Sequence, residues 1–216
     1  MNKKLLSKKD AVLVLYKLKK AYPDAECALV HRDPFELLVC VVLSAQTTDK
    51  SVNAISPGLF AAYPDAVSLA KADPAEVEGI IKRIGMYRTK AKNIIELSKR
   101  LVADHGGEVP HDFNALTALP GVGRKTANVV LSVAFGEQHI AVDTHVFRVS
   151  NRIGLVDEKD VLATEEALMK KLPKDRWTEA HHSLIFHGRN RCDARKPDCA
   201  NCEIGDICLK LKLKDK

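Results

Sequence analysis

One helix-start signal occurs twice, as Asp33-Pro34-Phe35-Glu36 and Asp73-Pro74-Ala75-Glu76, and it limits the fold more than any other local feature. In each copy Asp can accept from backbone N–H groups of the first turn. Pro lacks an N–H to leave unsatisfied and already holds a helical φ, and Glu can reach back to close a capping box. Both segments therefore predict helices. Ser7 with Asp10 predicts another, with Val12, Leu15 and Tyr16 on one face. The stretch from Leu37 to Leu43 is valine-rich and could form a buried strand, but the cap before it argues for a helix buried on all sides. Gly85, Gly106-Gly107, Gly136 and Gly154 fall where helices should stop. No alternating apolar and polar run bounded by hairpin turns occurs, so the expected class is all-α.

With 216 residues and 46% apolar content, the chain can bury one substantial core or two smaller ones. Lys and Arg number 34 against 28 Asp and Glu, a net charge of +6, which suits a polyanionic partner without requiring one. No stretch approaches the roughly 18 apolar residues of a membrane span, and the first residues lack the apolar run of a signal peptide. The expectation is a cytoplasmic protein, nucleoid-associated in a prokaryote, with no membrane partner. The lysine-rich ends, Lys3 to Lys9 and Lys210 to Lys216, read as solvated tails.

Four of the six cysteines, Cys192, Cys199, Cys202 and Cys208, follow a C-x6-C-x2-C-x5-C spacing near the C-terminus. Thiolates are soft ligands and select zinc or an iron–sulfur cluster over magnesium or calcium. A zinc ribbon would show two C-x2-C pairs; the single pair with wider arms favours a cluster, with zinc as the alternative. Two disulfides are a third reading, at odds with the reduced intracellular character of the rest. Cys27 and Cys40 lie in apolar surroundings and read as core thiols. His145, His181, His182 and His187 are read as packing or phosphate contacts, because the cysteine set is complete without them.

Leu119-Pro120-Gly121-Val122-Gly123-Arg124-Lys125-Thr126-Ala127 joins a short helical stretch to a longer one. Gly121 and Gly123 have no side chain to block approach, so backbone N–H groups and the positive end of the next helix can face a phosphate. The same pattern can be a tight turn without a ligand. Two basic groups flank the candidate elements: Lys82, Arg83, Arg88, Lys90 and Lys92, and Arg189, Arg191, Arg195 and Lys196 beside the cysteines. They suit phosphate contacts, with Arg195 and Lys196 on the first cysteine arm shaped against the backbone.

The hairpin, the segment Val142-Asp143-Thr144-His145-Val146 and the cysteine loop together resemble the endonuclease III family of iron–sulfur helix-hairpin-helix DNA glycosylases, over nearly the whole chain. The resemblance implies a bifunctional enzyme that excises oxidised pyrimidines and nicks the abasic site, carrying a 4Fe-4S cluster on the four cysteines. It also implies a monomer acting on double-stranded DNA with damaged pyrimidines or abasic sites. Two lobes are implied: a six-helix barrel over 23–137 bearing the hairpin, and 1–22 plus 138–216 bearing the cluster, with the active site in the cleft.

Lys125 matches the family's nucleophile, whose neutral amine can attack the sugar C1′ and form a Schiff base before β-elimination. Asp143 matches its catalytic carboxylate and also stands where a helix cap would. Gln46, in Leu43-Ser44-Ala45-Gln46-Thr47-Thr48-Asp49, resembles the residue inserted where a nucleotide has left the stack. Met86, in Ile84-Gly85-Met86-Tyr87, stands where the family commonly has a leucine wedge. Gly121, Val122, Gly123 and Arg124 are the implied hairpin contacts with DNA. An adenine-mismatch glycosylase is disfavoured by Lys125 and the short chain. A thymine- or uracil-mismatch glycosylase remains the second enzyme reading, and a noncatalytic DNA-binding module with structural zinc a third.

Overall fold

The structure, a computed structural model, describes residues 4–212. Among these residues every regular element is a helix, in line with the capping signals. They divide into two compact units, one spanning 28–137 and the other joining the segment through Cys27 to the residues from Gln138 onward. Among the described residues no helix is long and apolar enough to cross a membrane.

Helix α1 (Lys8–Ala21) belongs to the latter unit and opens as expected, with Ser7 Oγ accepting from the Asp10 N–H at 3.1 Å. Its buried face is Ala11, Val14, Leu15 and Leu18, and Tyr16 is exposed. The face predicted through Val12 and Tyr16 is thus rotated, because Ala11, Leu15 and Leu18 share one helical stripe and Tyr16 does not.

The 28–137 unit contains α2 (Pro34–Leu43), α3 (Asp49–Ala62), α4 (Ala66–Ala70), α5 (Pro74–Ile81), α6 (Tyr87–His105), α7 (Phe113–Thr117) and α8 (Arg124–Ala134). Every residue from Phe35 to Leu43 is buried, as the cap and apolar run predict, and α2 packs against α3, α6 and α8. Leu37, Leu38 and Leu43 are fully covered, and each such side chain contributes roughly 1.5–3 kcal/mol of burial.

Asp33 accepts from the Glu36 N–H at 2.9 Å and Asp73 from the Ala75 N–H at 2.7 Å. Neither forms the expected capping box, because each glutamate has another donor. Glu36 accepts from the Arg32 N–H and Nε, and Glu76 from the Tyr63 hydroxyl. A capping box does form where none was expected, between Asp65 and Ser68.

The second unit continues with α9 (Thr144–Ile153), α10 (Val161–Lys171), α11 (Trp177–Asn190) and α12 (Leu209–Lys212). Its core joins Leu15 and Leu18 of α1 to Val146, Val149 and Ile153 of α9 and Leu184 of α11. Cys192 and Cys208 belong to that core. Cys40 is buried as expected, whereas Cys27 is only half-buried.

Gly106 and Gly154 end α6 and α9 in the left-handed region, but Gly85 does not act this way. Helix α5 stops at Ile81, and the left-handed residue before α6 is Met86. The lysine-rich ends are more than tails. Residues 1–3 and 213–216 lie outside the described part, but Leu6 is buried with its N–H on the Gly154 carbonyl at 2.8 Å. Leu209 lies so close to Gly154 that a Cβ there would stand 2.6 Å from it.

Candidate nucleic-acid interface

The turn between α7 and α8 separates the roles of its two glycines. Gly121 has φ +77°, and a Cβ on it would lie 3.1–3.2 Å from Asn93 and Val42. The fold itself demands glycine there. Gly123 has an ordinary extended conformation, and a Cβ on it would meet nothing within 4 Å. Its missing side chain therefore leaves open space in front of the α8 N-terminus.

Within this unit the N-termini of α2, α3, α4, α5 and α7 are capped by the side chains of Asp33, Thr48, Asp65, Asp73 and Asp112. Helices α6 and α8 have no side-chain cap bond. An uncapped helix start presents N–H groups without intrahelical acceptors and a positive dipole end, a favourable place for a phosphate. Both such starts adjoin elements singled out from the sequence. Val122 is buried, and its N–H donates to the Leu119 carbonyl at 3.1 Å, so it braces the turn from inside. The Arg124 guanidinium lies 5.2 Å over the Phe113 ring. Lys125 is exposed on the first turn of α8.

Gln46 and Met86, from loops far apart in sequence, have φ of +53° and +55° and are the only non-glycine residues with positive φ among those described. Left-handed backbone costs such residues roughly 1–2 kcal/mol. Gln46 is exposed, and Met86 is 51% exposed although it is a large apolar side chain. Strained residues that hold their side chains in solvent are better explained by an external partner than by packing. Gln46→Gly is accordingly expected to raise stability by about 1 kcal/mol, which thermal melting checks.

The basic run around Met86 is not uniform. Lys82, Arg83, Arg88 and Lys92 are exposed, and Arg88 lies 4.9 Å over the Tyr87 ring. Lys90 is 3% exposed, so it cannot be the phosphate contact that the sequence suggested. Its Nζ donates to Thr47 Oγ1 at 2.6 Å.

In the other unit, Asp143 is the N-cap of α9. Its Oδ1 accepts from the N–H groups of both His145 and Val146 at 2.8 Å, so capping does not use Oδ2. Four residues apart on α9, Arg148 and Arg152 hold the first cysteine arm. Arg148 donates to the Gly188 and Cys192 carbonyls, and Arg152 to the carbonyls of Asp193 and Ala194. The helix capped by Asp143 is thereby bound to the cysteine loop. The sequence reading missed both arginines, although their i,i+4 spacing behind Asp143 was visible.

The cysteine-side basic group also divides. Arg191 pairs with Asp198 and Glu203, so it braces the loop rather than offering its charge outward. Arg195 and Lys196 are exposed, and their backbone N–H groups donate to Asp193 Oδ1 at 2.8 and 2.9 Å. These bonds hold the Asp193 carboxylate below its usual range and fix the turn that presents the two cations.

Cys192, Cys199, Cys202 and Cys208 line one small cavity of about 20 Å³. Among the described residues no three His, Cys, Asp or Glu side chains already stand close enough to share one metal ion. The donor set nevertheless fits a soft-metal group: four thiols face a common space, and Arg152 Nη1 reaches Cys192 Sγ at 3.5 Å. Burial pushes the Cys202 thiol up to about 11, so a thiolate there needs a cation beside it. His187 is fully buried, with Nε2 3.7 Å from Cys202 Sγ, and burial pushes its imidazole down to about 4. It packs beside the thiols as a neutral ring.

A sequence model described as HhH-GPD superfamily base excision DNA repair protein matches residues 39–174. The chain is 50% identical to endonuclease III of Bacillus subtilis over 213 residues, 98% of this chain and 97% of that protein. A solved structure of a trapped endonuclease III–DNA covalent intermediate is similar at a TM-score of 0.92 and 47% identity, covering 98% of this chain and all of that one. A thermostable thymine-DNA glycosylase is similar at a TM-score of 0.86 and 26% identity, covering 95% of this chain and 98% of that one.

Proposed function

The chain belongs to the HhH-GPD superfamily of base excision DNA repair proteins, and on that premise we propose that it excises oxidised pyrimidines from duplex DNA through a Schiff base on Lys125. Its activity is that of a DNA glycosylase and abasic-site lyase of the endonuclease III type. The observation that carries the finer reading is the placement of Lys125: exposed, on the first turn of an uncapped helix, directly behind the open side of Gly123. A phosphate held at that helix start brings the adjoining sugar to the amine.

The Lys125 amine attacks C1′, the bond from C1′ to the base breaks, and the base leaves with the electron pair. The attached amine gives up one proton, for which Asp143 is the acceptor and from which the departing base can be protonated. Its second proton passes to the ring oxygen O4′ as the sugar ring opens to an imine. Loss of a C2′ proton then expels the 3′ phosphate, and water releases the lysine. Asp143 can cap α9 through Oδ1 and serve this chemistry through Oδ2.

Before attack, the damaged nucleotide must leave the stack. Gln46, whose amide both donates and accepts, suits the orphaned base, and Met86 suits the gap between base pairs. The exposed Arg195 and Lys196 suit nearby phosphates.

The four cysteines would hold a 4Fe-4S cluster, the group typical of endonuclease III relatives. When bound, it supplies the metal–thiolate bonds that close the loop. Arg148 and Arg152 carry that order to α9. Protein purified without air is expected to be yellow-brown and to contain iron and labile sulfide. Cys199→Ser should lose both and loosen the loop. Stoichiometric zinc without sulfide would exclude the cluster.

Base release from duplexes carrying an oxidised pyrimidine, or a G·T or G·U mismatch, tests the substrate. Release and strand cleavage on the oxidised pyrimidine are expected. The likeness to the thymine-DNA glycosylase favours mismatch repair as the second reading, and release from mismatches alone would establish it.

A further inference from the structure

Lys90 lies in the first turn of α6, 3% exposed, with its ammonium directed at a single hydroxyl. Burying a charge is unfavourable unless a directed bond requires it, and a methionine could fill the same space without that penalty. The contacts around Lys90 supply the requirement. Its Nζ donates to Thr47 Oγ1 at 2.6 Å, and its backbone N–H donates to the Met86 carbonyl at 3.0 Å. Thr47 Oγ1 donates onward to the Ala45 carbonyl at 3.4 Å, and the Thr47 N–H to the Ser44 carbonyl at 3.0 Å. Gln46 sits between Ala45 and Thr47, the two residues this chain of bonds ties down.

From these contacts we propose that Lys90 is a positioning residue, which latches the loop of residues 44–48 to the start of α6 so that Gln46 and Met86 are held as one rigid unit. The proposal rests on the reading of Gln46 and Met86 as the residues that fill the space of an extruded nucleotide. An isolated left-handed residue in an exposed loop relaxes unless its flanks are fixed. For Gln46 the flanks are fixed by the charge-assisted bond to Thr47, and bonds to an ionised donor are shorter and stronger than neutral ones. Met86 is the N-cap of the same helix, its carbonyl accepting the first helical bond from the Lys90 N–H, so the lysine side chain joins the loop to the helix start that carries Met86. The latch lets both side chains stand in solvent, ordered before DNA arrives, so the ordering entropy is not charged against extrusion.

Lys90→Met and Thr47→Val each remove one end of the latch, whereas Thr47→Ser keeps the hydroxyl. In the free enzyme, the first two variants should speed amide hydrogen exchange at residues 44–48 without changing the rest of the molecule. They should slow excision from damaged duplex about tenfold, the effect of losing one charge-assisted bond, and leave cleavage of a preformed abasic site near wild type. Thr47→Ser should behave as wild type in both assays. In a Gln46→Ala background, Lys90→Met should add little further loss, because the loop then has nothing to position.

Unchanged exchange in Thr47→Val, or equal and additive slowing on both substrates, would overturn the latch. Faster loop exchange combined with a harmless Gln46→Ala would retain the latch and sink the wedge reading instead. Melting curves identify any variant that fails to fold, and Thr47→Val then stands in for Lys90→Met.

Discussion

Lys125→Ala is expected to abolish strand cleavage and lower base release by roughly three orders of magnitude or more, the scale on which a catalytic nucleophile acts. Borohydride reduces an imine to a stable amine and leaves a noncovalent complex untouched. Wild-type enzyme with damaged duplex should therefore yield a covalent protein–DNA adduct, and Lys125→Ala should yield none. The loss can be assigned to chemistry because the substitution is mild structurally. Lys125 is exposed on the first turn of α8, and alanine is the best helix former, so stability should change by no more than about 0.5 kcal/mol. DNA binding should survive, since the backbone at Gly123 is unaltered.

Asp143→Asn is the companion change: its side-chain oxygen can still accept from the His145 and Val146 N–H groups, so α9 stays capped while the charge is lost. Excision should fall strongly with binding retained. An undiminished adduct in Lys125→Ala, with no other amine replacing it, would overturn the mechanism.

How much of this was legible in the sequence follows from how local each determinant is. The caps of α1 and α2 need only a few adjacent residues, and the sequence states them. The burial of α2 on all sides was readable because Asp33 and Pro34 fix the helix before the apolar run begins. The glutamates of the two Asp-Pro signals were misread because their partners, Arg32 and Tyr63, are not fixed by the capping pattern.

Lys90 shows the harder limit. Within its run it looks like Lys92 or Arg88, and only the meeting of α6 with the loop after α2 makes it buried. Strain at Met86 was hidden for a related reason. Gly85 beside it is the better left-handed residue by intrinsic preference, and the sequence gives no hint that the methionine takes that conformation instead. The motif resemblance found Gln46 and Met86; the backbone supplies the physical reason they stand out.

The two hairpin glycines, indistinguishable in the string Pro-Gly-Val-Gly, are expected to fail in opposite ways. At position 123 the space before α8 is open, and an aspartate fits there as a helix cap, a residue type that equals or betters glycine by a few tenths of a kcal/mol. Gly123→Asp should therefore melt at or slightly above the wild-type temperature. Yet its carboxylate would take the N–H groups a phosphate needs and repel the phosphate as well, so affinity for duplex DNA should fall by about 100-fold or more, roughly 2.7 kcal/mol. Gly121→Ala meets the reverse situation. Its backbone is left-handed and its Cβ would press on Asn93 and Val42 at 3.1–3.2 Å, so it should lose about 1–3 kcal/mol of stability. What folds should still bind DNA, with the same steep weakening by salt as wild type. Titrations at two or more salt concentrations, read beside melting curves, separate the two effects. Wild-type affinity in a folded Gly123→Asp would show that the open face before α8 does not receive the phosphate, and the placement of Lys125 behind it would then lose its meaning.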